Sequence, residues 1–304
     1  MAFTAKDVQS LREITGVGMM DCKRALVETD GDIDRAVAYL REKGMAAAAK
    51  KSGRIAAEGA VYALVDPASG CGAIVEVNSE TDFAAKSEDF QDFLRGVCAT
   101  VLQARPVDLS ALLAARFSGG TLSVEETLRE KVLVIGENLK IRRFELFEKP
   151  MNQAYVHMGG KIGVLVNLEV SDNIKDDSLV DELSRDVAMQ AAAMRPQWLS
   201  ADQVDTTTRQ EEKAILLAQA MAEGKPQAVA EKMVEGRMKK FFAENCLLAQ
   251  TFVKDNKLTV AQHVEAVAKE LGGGIAVRRF ARYEKGEGIA KREDNFADEV
   301  AKMV

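Results

Sequence analysis

The chain has 304 residues, 47% apolar and 29% charged, with a formal net charge of −6. That length and composition suit about two domains with buried cores, and the acidic balance argues against a general nucleic-acid binder, whose phosphate contacts need a basic footprint. Four scattered cysteines (Cys22, Cys71, Cys98 and Cys246) and two histidines form no CxxC pair and no zinc-ligand spacing, so neither metal nor cofactor is expected.

The opening, MAFTAKDVQS, lacks the basic-then-apolar pattern of a secretory signal, and no apolar run reaches membrane length. A cytoplasmic protein with core thiols is expected. Residues 1–44 read as three short helices. Val8, Leu11 and Ile14 can share one face of the first, and Thr15-Gly16-Val17-Gly18 breaks it. Met19, Cys22, Ala25 and Leu26 give the second its apolar stripe. Ile33, Ala36, Val37 and Leu40 follow at helical spacing in the third, which Gly44 closes. Residues 45–56, MAAAAKKSGRIA, lead out of this module as helix or linker. Within them Lys50-Lys51-Ser52 imitates a phosphate-binding loop, but Ala49 stands where its glycine belongs and no strand precedes it. From residue 59 the pattern changes. Ala60–Val65 and Ala73–Val77 flank the turn-rich DPASGCG as a hairpin. A helix over Ser87–Ala104 follows, ended by Pro106, and a strand over Leu139–Phe147 closes the unit.

The second half repeats the first. Gly72-Ala73-Ile74-Val75 aligns with Gly163-Val164-Leu165-Val166. Arg95, Val97, Arg105 and Pro106 align with Arg185, Val187, Arg195 and Pro196, and Ile141-Arg142-Arg143-Phe144 with Val277-Arg278-Arg279-Phe280. The offset widens after Pro196, which marks an insertion at about residues 200–245. Its two helices, from Ser200 to Glu223 and then through Ala230, Val234, Met238 and Phe241, predict a projecting hairpin broken at Gly224-Lys225-Pro226. The expected fold is α+β: a three-helix module (1–54), then core subdomains at 55–150 and 151–304, each with a small antiparallel sheet covered by helix.

No catalytic set emerges: there is no GxSxG, no HExxH and no complete phosphate loop. His157 and His263 lack a recognisable nucleophile or acid partner. The two arginine pairs are expected to alternate across their strands and meet nearby acids on a solvated face. Val77-Asn78-Ser79-Glu80-Thr81-Asp82-Phe83 runs off a strand into a polar turn that carries an aromatic. Either Thr81 or Asp82 caps a helix with Phe83 packed beneath it, or Phe83 is an exposed anchor for a partner.

Two stretches resemble a known family. Thr15-Gly16-Val17-Gly18-Met19-Met20-Asp21-Cys22-Lys23-Arg24-Ala25-Leu26 is similar to the N-terminal signature of elongation factor Ts, and Glu76 to Phe83 resembles its second signature. IGENLKIRRF, YVHMGGKIGVLV, AEKMVEGRMKKFF and LLAQTFVKD agree as well, in family order across nearly the whole chain. The resemblance implies a ubiquitin-associated-like N-terminal module and a non-enzymatic guanine-nucleotide exchange factor. Such a factor binds elongation factor Tu with GDP and promotes GDP release during translation elongation. It implies that Thr81, Asp82 and Phe83, with Ala84 beside them, dislodge magnesium from the partner's nucleotide site. Many members carry valine where this chain has Ala84. Met19 and Met20 correspond to a surface for the partner's GTPase domain, although helical spacing leaves a core position open for one of them. His157 corresponds to a contact histidine, and Val234 and Met238 serve the interface or zip the hairpin. No direct nucleotide, nucleic-acid or membrane binding is expected, and a homodimer within the complex is left open. A peptide-binding adaptor and a nucleotide-using enzyme are the competing readings.

Overall fold

Caps and apolar spacing coincide at the N-terminus of the computed structural model, which describes residues 3–148 and 151–290. Helix α1 (Ala5–Thr15) begins at a Thr4–Asp7 capping box and ends on Gly16 at a left-handed φ of 67°. Helices α2 (Met19–Glu28) and α3 (Ile33–Lys51) follow. Leu11, Cys22, Ala25, Leu26 and Ala36 fill their common core. Two expected members of the stripes lie outside it. Ile14 is 63% exposed and overhangs the edge of the core beside Val37 and Leu133, and Met19, in the first turn of α2, is 42% exposed. Gly44 does not close α3, which continues through it to Lys51. It is instead a contact point: a Cβ there would lie 3.4 Å from the Arg129 carbonyl oxygen.

The core holds two three-stranded antiparallel sheets. The first has the order β1 (Glu58–Val65), β2 (Gly72–Ser79), β3 (Lys140–Phe147); the second β4 (Met151–His157), β5 (Ile162–Val170), β6 (Ile275–Glu284). The duplication read from the sequence recurs in detail. The register slips between Glu76 and Val77 on β2, and between Asn167 and Leu168 on β5. Strand β2 leads through the short α4 (Asp82–Lys86) into α5 (Glu88–Ala104), and β5 leads into α8 (Ser178–Met194). Helices α5 and α8 end on Arg105 and Arg195, both left-handed at φ 48° and 50°, each followed by a proline.

Alternation along the middle strands builds the layers. Ala73, Val75 and Val77 pack with Phe90, Phe93 and Val97 of α5. Val164, Val166 and Leu168 pack with Leu183 and Val187 of α8. Ile74 and Leu165, pointing the other way, meet between the sheets with Val61, Phe147 and Tyr283. Covered on both faces, β2 is buried along its whole length. The sheets approach so closely that a Cβ on Gly163 would stand 2.4 Å from Val61 Cγ1, which leaves room for glycine alone. The Arg142-Arg143 pair does not lie on a solvated face. Arg142 (3.0 Å) and Arg143 (2.6 Å) both bind the fully buried carboxylate of Glu76. The Gly286 amide, just past β6, donates to the same carboxylate at 2.8 Å, and the Arg143 guanidinium stacks over Tyr283 of β6. A buried carboxylate is tolerable only with its acceptors filled in this way, and here the filling groups tie the two sheets together.

Helices α6 (Leu109–Ala114) and α7 (Val124–Ile135) lie between α5 and β3, a stretch with no assigned element in the sequence reading. Helix α7 serves two cores, giving Val132 and Leu128 to the first sheet's core and Leu133 and Val134 to the N-terminal one. In the second copy the insertion forms α9 (Thr206–Ala222) and α10 (Gln227–Asn245), joined by a turn at Gly224. Asp205 caps α9, while Ser200 precedes a short 3-10 turn. Helix α11 (Val260–Leu271) then packs on α8. The fold is α+β with a helical N-terminus, two small antiparallel sheets and a helical hairpin, as expected. Residues 149–150, at the expected subdomain boundary, and 291–304, at the end of the second subdomain, lie outside the described residues.

Candidate functional site

The polar turn after β2 is held from several sides. Ser79 is buried, and its hydroxyl donates to the Thr81 carbonyl at 2.9 Å. The Thr81 hydroxyl accepts from the Ala84 amide at 3.2 Å and caps α4, as the capping reading expects. Ala84 and Ala85 are buried, and α4 packs on β1, β2 and α5. Ser87 closes α4 and opens α5, donating to the Ala84 carbonyl and accepting from the Phe90 amide. The other half of the capping reading does not hold: Phe83 is not packed beneath the helix but 81% exposed. A short helix with its small residues turned inward presents its aromatic outward.

Beside it, Asp82 pairs with Lys86 at 2.6 Å, and the hydrogen bond from Lys86 holds the Asp82 carboxyl below the usual carboxylate range. The Lys86 ammonium also stands 6.0 Å from the centre of the Phe83 ring. The exposed tip therefore combines an apolar ring with a persistent carboxylate and one ammonium group.

A second turn, Gly136–Asn138, braces the first. Glu137 accepts from the Thr81 amide at 2.9 Å and from the Thr81 hydroxyl at 2.6 Å. The Asn138 amide donates to Glu80 at 2.6 Å, and the Asn138 side chain donates to the Arg54 carbonyl at 2.7 Å. Lys51, at the end of α3, donates to the Gly136 carbonyl. Gly136 caps α7 at φ 83°, which was readable in principle from a glycine after an apolar helical stripe. The partners 56 or more residues away were not.

The remaining candidates sit on other elements. Met19 and Met20 are both exposed on α2, Met20 at 65%, so neither is a core residue. His157 ends β4 half-buried, with Nδ1 2.9 Å from the Tyr155 hydroxyl. Val234 and Met238 are buried along α10 and border a groove with Ala214 and Leu217 of α9.

A family model described as Elongation factor TS matches residues 80–287. The chain is 49% identical over 304 residues to the elongation factor Ts of Symbiobacterium thermophilum, covering 99% of this chain and 97% of that one. The proteins of that name from Clostridium perfringens (48% identical, 99% and 98% covered) and Syntrophotalea carbinolica (46%, 100% and 99%) are similar over the same extent. The chain belongs to the elongation factor Ts family. It is therefore a translation elongation factor by descent, and the turn at Thr81–Ala84 lies within the matched region. Among the described residues no helix is long and apolar enough to cross a membrane.

Proposed function

We propose that the chain is a guanine-nucleotide exchange factor that binds elongation factor Tu with GDP and promotes GDP release. It does no covalent chemistry in this role. The observation that carries the proposal is the exposure of Phe83 on a turn whose backbone is fixed from several sides. An apolar ring carried in solvent on a fixed backbone is a preorganised anchor, because the turn that bears it need not be ordered on docking.

In a GTPase, magnesium bridges the nucleotide phosphates and a phosphate-loop hydroxyl. A wedge that shifts this ion leaves phosphate charge poorly compensated and weakens the nucleotide. In the proposed mechanism Phe83 is the wedge, with Thr81 and Ala84 fixing its helix. Asp82, kept ionised by Lys86, places a carboxylate at the edge of the ion site. Linkage sets the thermodynamics. The factor accelerates release by binding the nucleotide-free partner more tightly than the loaded one, so nucleotide must weaken the factor by the same ratio. Met19 and Met20 are proposed to dock on the partner's GTPase domain and His157 to make a further contact. Val234 and Met238 are proposed to act by keeping the hairpin closed. Residues 1–54, 55–150 and 151–304 are the proposed units.

The test is stopped-flow release of fluorescent GDP from elongation factor Tu at fixed magnesium. The expected result is strong acceleration by the chain, which by itself binds no labelled GDP. No acceleration with an active partner would remove the exchange role.

A further inference from the structure

We propose that Glu137 is a positioning residue for the Phe83 tip, through which the N-terminal helices, α7 and the tip move as one body. The inference rests on the exchange reading for its functional consequence, but the clamp itself is a matter of geometry. Glu137 spends both carboxylate oxygens on Thr81, one on the amide and one on the hydroxyl. The same hydroxyl caps α4 through the Ala84 amide, and Phe83 is the second residue of that helix. Five residues are too few for a helix to hold its own direction, because a first turn costs more order than its bonds return. The direction of the Phe83 ring is therefore set from outside the helix, by the seat of Ala84 and Ala85 and by whatever holds Thr81, and charge-assisted bonds to a carboxylate are the strong kind.

The support extends beyond this pair. Glu80, next to Thr81, is held by the Asn138 amide, next to Glu137, so two adjacent residues of one turn grip two adjacent residues of the other. Asn138 and Gly136 are tied in turn to Arg54, just past α3, and to Lys51 at its end. Helix α3 carries the N-terminal core whose neighbouring helix exposes Met19 and Met20. Two surfaces proposed to meet different parts of one partner are thereby joined by a continuous chain of hydrogen bonds and packed helix. Glu137 itself need not touch the partner to matter.

The experiment compares full-length Glu137→Ala, Phe83→Ala and the double variant in GDP release from elongation factor Tu, titrating the factor to saturation. For Glu137→Ala the maximal release rate is expected to fall about tenfold, the size of a lost charge-assisted bond. The half-saturating concentration should change less than about threefold, since most of the docking surface is intact. The double variant should be no slower than Phe83→Ala alone, because Glu137 acts through that ring. Glu137→Gln, which keeps one acceptor oxygen, should recover part of the rate. A wild-type rate for Glu137→Ala, or a further loss in the double variant, would overturn the proposal. If Phe83→Ala itself released GDP at the wild-type rate, the exchange mechanism would fall first. The clamp would then be judged by amide hydrogen exchange, where Glu137→Ala should unprotect Thr81 and Ala84 and unchanged protection would refute it.

Discussion

Phe83 stands clear of its own chain because the residues around it are small and inward-facing. Ala84 and Ala85 settle α4 on the sheet edge, and nothing large is left to cover the ring. The sequence disclosed a cap at Thr81 or Asp82 and the presence of an aromatic, but left two directions for the ring open. The packing of α4 and the hold on Thr81 choose between them. Cys98 is the opposite case, a group whose role was readable as plain core. Burial pushes its thiol up to about 12 from an ordinary 9.0, and the Cys22 and Cys246 thiols move the same way for the same cause. A thiol that stays protonated in the fold gives its full contribution below pH 9. That contribution is lost as pH rises towards 12, because the unfolded chain releases the proton first. By pH 10 this amounts to roughly 1 kcal/mol of stability for Cys98. Urea unfolding of the wild type and Cys98→Ala at pH 8 and pH 10 should show a smaller pH loss in the variant. Equal losses would mean the thiol does not carry it.

At the scale of elements, α3 and α7 are the pair whose length and contacts decide how the N-terminal helices attach. Gly44 suggested a stop, since glycine is a poor helix former. The helix runs on because its tertiary contact with α7 outweighs that propensity. Space at Gly44 admits a methyl group in ordinary contact with Arg129 and little more. Gly44→Ala should therefore stabilise the protein by about 0.5–1 kcal/mol through helix propensity, while Gly44→Leu should destabilise it by about 1–3 kcal/mol through overpacking. Thermal unfolding distinguishes the two signs. Helix α7 escaped the sequence reading although Ser123 and Glu126 form a capping box. Its apolar residues serve two cores at once, which blurs the single stripe on which periodicity depends. A cut after residue 54 would strip Ala48 from the first sheet's core and the Arg54 carbonyl from Asn138. The proposed 1–54 unit is thus more tightly joined to the rest than a linker would make it.

At the scale of the molecule, the duplication was the most legible feature. Strand and helix repeats with their Arg-Pro endings survive as sequence because each copy must build the same sheet and cap the same helix. What the repeat could not reveal is how the copies meet. Glu76 reads as one polar residue in an apolar strand, yet it lies at 0% exposure, bound by Arg142, Arg143 and the Gly286 amide. Apart from the Asn78 side-chain amide two residues on, which also donates to it, these partners come from 66 to 210 residues away, beyond any local pattern. Removing Glu76 leaves Arg142 without its carboxylate partner and Arg143 with Glu287 alone. Glu76→Ala should cost about 3–5 kcal/mol, measured as a fall in the urea midpoint. A loss under about 1 kcal/mol would mean the cluster is solvated in practice.

The most direct measurement is GDP release from elongation factor Tu driven by the wild type and by Asp82→Ala/Phe83→Ala, at saturating factor and fixed magnesium. A central anchor of this kind is worth about 2 kcal/mol or more, so the predicted result is a maximal rate at least about thirtyfold lower in the variant, with the fold intact by circular dichroism. Equal maximal rates for the two proteins would contradict the claim that the exposed tip after β2 drives release.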